Sequence, residues 1–178
     1  MKSTTIAILR VFGRPGRPQR GLIVAGNRVF PCALGRSGVR RGKREGDGAT
    51  PVGRFALGRG YFRPDRGPRP ASRLSLKPLK RTDAWCDDPA DRRYNRPVAR
   101  PAHLPPSEET MWRSDRLYDV VIEIAYNVRP RVRGRGSAIF IHLAKPGFLP
   151  TAGCVALRAQ DMRKLVRVIG PNTRVIIA

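Results

Sequence analysis

Ser137-Ala138-Ile139-Phe140-Ile141-His142-Leu143, followed after a short loop by Pro150-Thr151-Ala152-Gly153-Cys154-Val155-Ala156-Leu157, is the stretch on which the reading of this chain turns. The first segment alternates with period two. Ala138, Phe140 and His142 fall on one face and Ile139, Ile141 and Leu143 on the other, as in a strand that His142 ends. Eleven residues separate His142 from Cys154, enough chain for the strand end to turn back and bring imidazole to thiol. With Cys154 held between a glycine and small residues, the pair reads as a Cys/His nucleophilic site. A buried thiol beside a core histidine is the alternative that the pair alone leaves open.

Working outward, Met162, Leu165, Val166 and Ile169 follow the i, i+3, i+4, i+7 spacing of a core-facing helix, which Gly170-Pro171 stops. Residues 173–177 close the chain as a strand. Cys154 is therefore expected just before a helix, where N–H groups and the helix dipole favour a thiolate. Upstream, Tyr118, Val120, Ile122, Ile124 and Tyr126 are expected on one face of a strand, with Asp119 and Glu123 on the other.

The N-terminal part reads as β-rich. The apolar run within residues 1–12 is short and broken by Arg10, with no Ala-x-Ala site after it, so it predicts a first strand rather than a secretory leader. No segment has the unbroken apolar length needed to span a bilayer. Gly13 to Gly21 alternates Gly, Pro and Arg and predicts an exposed turn. Leu22-Ile23-Val24 and Val29-Phe30 flank Gly26-Asn27, a hairpin signal. Residues 35–50 form a glycine-rich basic loop without the G-x-x-x-x-G-K-[ST] order of a phosphate loop. Thr50-Pro51-Val52-Gly53-Arg54-Phe55 is a rigid bend entering a strand, with Tyr61-Phe62 beyond.

Residues 63–116 are rich in Pro, Arg and Asp with weak periodicity, which predicts an irregular insertion on the β core. Ser107, Glu108 and Glu109 ahead of Met111-Trp112 are placed to start one short helix. His103 reads as a surface or structural histidine. Trp85, Asp87, Asp88, Tyr94 and Asn95 are groups that either line a pocket or pack the insertion.

Composition bounds these readings. The chain has 178 residues, 40% of them hydrophobic, which fits one domain over 1–178 with a real core. Lys plus Arg outnumber Asp plus Glu by 36 to 13, giving +23 and a pI near 11.6. A field of that sign suits nucleic acid, an anionic membrane surface or carboxylate-rich cell wall, or reflects only an arginine-rich solvated surface. Residues 1–44 hold eleven Lys or Arg and no acid, whereas nine of the thirteen acids lie between Asp83 and Glu123, a segment able to pair with the basic face or line a cleft. Aromatics hardly interleave with the arginines, which argues against a nucleic-acid stacking platform. Cys32, Cys86 and Cys154 contain no C-x-x-C pair, so no metal site is expected. Cys32 and Cys86 either pair in an oxidising compartment or stay as two buried thiols.

Three pieces in order, Thr50-Pro51-Val52-Gly53-Arg54-Phe55, Ile139-Phe140-Ile141-His142 and Thr151-Ala152-Gly153-Cys154-Val155-Ala156-Leu157, resemble the YkuD-type L,D-transpeptidases that remodel peptidoglycan. With the β-rich N-terminal part they cover most of the chain. The resemblance implies a mainly β, sandwich-like catalytic domain with one or two short helices. It implies Cys154 as nucleophile and His142 as base, the Leu143 carbonyl orienting the ring, and N–H groups of Gly153 and Cys154 holding the oxyanion. The implied partners are peptidoglycan stem peptides, the implied location periplasm or cell envelope, and a monomer is expected. A cytoplasmic location stays open because no leader is visible. No cofactor is implied.

On the substrate side Thr151, Arg158, Trp85, Asp87, Tyr94, Asn95 and Tyr126 are expected. Many relatives carry an arginine two residues after the cysteine, where this chain has Ala156; Arg158 is near but out of register. The His-to-Cys connection is also shorter than in many relatives. The resemblance leaves open a 1,3 linkage, from L-Ala to diaminopimelate, or a 3,3 linkage. It equally leaves open hydrolysis of the same acyl-enzyme, as a carboxypeptidase or amidase. A Cys/His hydrolase on another substrate and a non-enzymatic basic polyanion binder are the readings from other classes.

Overall fold

Alternating apolar residues in the first third build an antiparallel meander: β1 (Ile8–Arg14), β2 (Arg17–Ala25) and β3 (Arg28–Ala33). A computed structural model describes residues 5–100 and 108–178; His103 and Ser107 lie outside the described residues. Leu9, Val11, Ile23, Phe30 and Cys32 point inward and are buried. Gly26, at φ +63°, makes the tight β2–β3 turn with Asn27. The stretch from Gly13 to Gly21, expected as a turn, is mostly strand: only Pro15 and Gly16 turn. The ladder continues there because backbone pairing needs no side-chain alternation, and Gly21 packs so closely that a Cβ would lie 2.5 Å from the Phe12 carbonyl oxygen.

β4 (Val39–Arg40) and β5 (Thr50–Pro51) form a small parallel pair at the ends of the glycine-rich loop. Thr50 is fully buried, and its hydroxyl accepts the Gly35 amide at 2.9 Å, so the threonine-proline corner ties the loop to the end of β3. It leads into the long β6 (Gly53–Phe62), followed by β7 (Leu76–Pro78).

The segment expected to be irregular carries a sheet of its own, β8 (Asp83–Cys86), β9 (Arg96–Ala99) and β10 (Glu109–Thr110), in the order β10-β8-β9. These strands have four residues or fewer, each with a charged residue, so period two does not show in the sequence. Glu109, expected with Ser107 and Glu108 to start a helix, pairs instead with Trp85, and Thr110 with Ala84. Arg63, 5% exposed, pins the insertion by pairing with Asp65 at 2.8 Å and lying 3.8 Å over the Trp112 ring.

The remaining elements are β11 (Val120–Ile124), β12 (Phe140–Leu143), β13 (Val155–Leu157), α1 (Ala159–Val166) and β14 (Arg174–Ile177). The large sheet runs β11-β12-β13-β3-β2-β1-β14-β6-β7, and β6 also pairs with β11, so it curls into a barrel-like ring. Met162, Leu165, Val166 and Ile169 fill its interior as the helical spacing predicted. The fold is mainly β.

Among the described residues, two apolar clusters result. The larger lies within the ring. The smaller, including Trp85, Met111, Tyr118, Val121, Phe140 and Cys154, lies between ring and insertion. The face expected for residues 118–126 is corrected here: Tyr118 lies in the turn before β11, outside the strand's alternation, and packs with Val121 in the smaller cluster while Val120, Ile122, Ile124 and Tyr126 pack on the larger. All three cysteines are buried free thiols, the second of the two readings for Cys32 and Cys86.

Candidate active site

Parallel pairing of β12 with β13 sets Ile141 opposite Val155, His142 opposite Ala156 and Leu143 opposite Leu157. Because side chains alternate, Phe140, His142, Cys154 and Ala156 share the face turned away from the barrel core. Phe140 and Cys154 belong to the smaller cluster, and His142 packs edge-on against the Tyr118 ring at 5.4 Å. Above this face opens a cleft of about 320 Å³ lined by His142, Cys154, Gly153, Thr151 and Tyr118, with Arg36, Lys43, Glu45, Asp87, Glu109, Arg113 and Lys145 among its charged groups.

The thiol is held by the backbone. Phe140 N–H donates to Sγ at 3.4 Å, and the S–H donates to the Ala138 carbonyl at 3.2 Å. Gly153 precedes it with φ +145°, and a Cβ there would sit 2.8 Å from the Ala49 carbonyl oxygen, so only glycine lets this turn seat against the loop. Thr151 closes the turn: its hydroxyl donates to the Cys154 carbonyl at 2.7 Å and accepts the Gly153 amide at 3.1 Å. The Gly153 N–H expected at the oxyanion is thus engaged by Thr151, which leaves the Cys154 amide as the candidate donor.

His142 is 6% exposed, and its Nδ1 lies 2.8 Å from the Leu143 carbonyl oxygen. A carbonyl only accepts, so the proton is on Nδ1 and the Nε2 lone pair is available as a base. Burial holds the imidazole pKa down to about 4 against an ordinary 6.5. The unfolded chain therefore takes up this proton first as pH falls, so the stability contributed above pH 6.5 is lost towards about pH 4. Urea midpoints are expected to fall across that window more steeply in the wild type than in His142→Asn; equal slopes would refute the assignment.

Burial also pushes the Cys154 thiol up to about 12, with Glu109 adding to the effect. The expectation of a helix start at Cys154 is corrected accordingly. β13 intervenes and α1 begins only at Ala159, so the helix dipole does not reach the sulfur. At rest both thiol and imidazole are neutral.

A family model described as YkuD, the L,D-transpeptidase catalytic domain, matches residues 18–177. The chain belongs to this family. Searches of curated proteins and of solved structures returned no significant match. The match makes it an L,D-transpeptidase-type catalytic domain of a family that acts on peptidoglycan. Among the described residues no helix is long and apolar enough to cross a membrane.

Within this L,D-transpeptidase domain the structure brings Cys154, His142, Gly153, Thr151 and Asp87 to the cleft. It places the other expected substrate contacts elsewhere. Arg158 turns to Asp161 at 2.8 Å, at the start of α1. Trp85 is 2% exposed and stacks edge-on against Phe140 at 5.0 Å. Tyr94 is buried, its hydroxyl donating to Glu45. Asn95 is buried behind Ala138, and Tyr126 donates to the Arg135 carbonyl at 2.6 Å. Trp85, Tyr94 and Asn95 pack behind the cleft because their polar atoms satisfy backbone and neighbouring groups of the insertion and its borders, whereas Tyr126 packs on the larger cluster against Phe55.

Sequence reading missed Lys43, Glu45, Glu109, Arg113 and Tyr118. The hydroxyl of Tyr118 donates to Glu109, whose carboxyl burial pushes up. Arg113 lies 5.1 Å over the Tyr118 ring and pairs with Asp115 at 2.5 Å. Only the Lys43/Asp47 spacing, four apart in a glycine loop, offered a signal.

Proposed function

We propose that the chain is a peptidoglycan L,D-transpeptidase that works through a Cys154 thioester. The observation carrying this is a cysteine and a neutral histidine on one face of paired strands, at the floor of a cleft, in a chain of this family. His142 Nε2 takes the thiol proton as sulfur attacks the carbonyl carbon of an L-to-D peptide bond in the donor stem. The tetrahedral oxyanion is held by the Cys154 amide. It collapses to a thioester, and the imidazolium returns the proton to the leaving amine. The side-chain amine of a diaminopimelate in a neighbouring stem then attacks the thioester, gives its proton to His142 and forms the cross-link as the thiol leaves.

Resemblance to the compact branch supports a 1,3 linkage. With Ala156 beside His142, donor carboxylates fall to the cleft cations Arg36, Arg113 and Lys145. Incubation with muropeptides, read by mass spectrometry, tests the whole reading because donor, acceptor and bond position are reported together. Dimers linked from L-Ala to diaminopimelate are expected. Dimers linked 3,3 would overturn the bond assignment, and shortened stems without dimers would make water the acceptor. Untouched muropeptides would overturn the function.

A further inference from the structure

Thiolate chemistry at Cys154 needs a positive charge that burial and the distance of α1 deny it. The glycine-rich loop supplies one. Lys43 is 4% exposed, and its Nζ donates to Asp47 Oδ1 at 2.7 Å and to the Arg44 carbonyl at 3.4 Å. Asp47 also accepts the amides of Arg44 and Ala49 at 2.7 and 2.8 Å, so the loop is folded around this pair.

Two glycines make room for the lysine. Its Nζ lies 3.4 Å from the position a Cβ would take on Gly153, and its Cε lies 2.8 Å from that position on Gly136. The pair is lopsided: the lysine side chain is 3% exposed and the aspartate 26%. Water screens the carboxylate while the ammonium faces the site, so the pair presents net positive field towards Gly153 and Cys154. Burying an ammonium is costly, and closing a surface loop does not require it.

We infer that Lys43 is a positioning residue whose buried charge, held by Asp47 behind Gly153, stabilises the Cys154 thiolate as it forms. The inference rests on Cys154 being the nucleophile proposed above. Glu109 from β10, Arg113, Tyr118 and His142 line the same cleft as Cys154 and stay constant in the test.

The pH profile of iodoacetamide alkylation at Cys154, read by peptide mass spectrometry, separates charge from scaffolding. Lys43→Met is expected to move the profile to higher pH and slow alkylation about tenfold at neutral pH, one unit of thiol pKa being tenfold in thiolate. Asp47→Asn, which removes the screening anion, is expected to move it to lower pH and speed the reaction. A mere loop clamp is broken by either change and would shift both variants the same way. Shifts of one sign, or an unmoved profile in either variant, overturn the inference. If Lys43→Met does not fold, acceleration in Asp47→Asn supports it and slowing overturns it. Alkylation requires no muropeptide, so opposite shifts without cross-linking would sink the proposed function alone, and cross-linking with parallel shifts would sink this inference alone.

Discussion

Cross-linked dimers are expected to vanish in Cys154→Ala and to form about 10²- to 10⁴-fold more slowly in His142→Asn, the range spanned by a positioned general base. The first follows from bond-making: with no sulfur there is no thioester, and among the described residues no other nucleophile of that strength lines the cleft. The second follows from tautomer and burial. The Leu143 carbonyl fixes the proton on Nδ1, and a pKa of about 4 keeps Nε2 unprotonated throughout the neutral range. Asparagine fills part of the same space but cannot accept a proton there. Intact-mass spectrometry of trapped enzyme should show an acyl adduct in the wild type and none in Cys154→Ala. Wild-type rates in either variant would remove that residue from the mechanism.

How much of this was legible depends on whether the cause is local. The faces of residues 138–143 were, because period two is a property of the strand itself, and the structure places Phe140 with one cluster and Ile139, Ile141 and Leu143 with the other. The core stripe of α1 was legible for the same reason. The element after Cys154 was not: Val155-Ala156-Leu157 is too short to show any period, and a strand buried on both faces looks like the first turn of an apolar helix.

The insertion failed differently. Trp85, Tyr94 and Asn95 looked like ligand-binding groups because their partners are far away in sequence; the Asn95–Ala138 hydrogen bond spans 43 residues. Lys43 was hidden likewise, since nothing local announces that Gly136 and Gly153 leave space for it. Polar residues near a site split into those that touch substrate and those that hold the backbone, and only tertiary contacts tell them apart.

Asn95 is the sharpest case, and Asn95→Ala is expected to cost about 3–4 kcal/mol of folding stability. The side chain is 2% exposed and uses all its polar capacity. Oδ1 accepts from Trp85 Nε1 and from the Ala138 amide, each at 3.1 Å. Nδ2 donates to the carbonyls of Tyr126 at 3.0 Å and Asn127 at 2.9 Å. Alanine leaves two donors and two acceptors without their partner, and a buried orphan costs about 1–3 kcal/mol before neighbours relax. It also keeps φ +55°, a conformation asparagine tolerates better than alanine. The damage should reach the nucleophile, because Ala138, itself at φ +51°, offers Cys154 its carbonyl while Asn95 holds its amide. Urea denaturation should therefore show a lower midpoint, with altered alkylation of Cys154 in protein that is still folded. A loss below about 1 kcal/mol, the worth of a single ordinary hydrogen bond, would mean that the insertion is not joined to the site through this side chain.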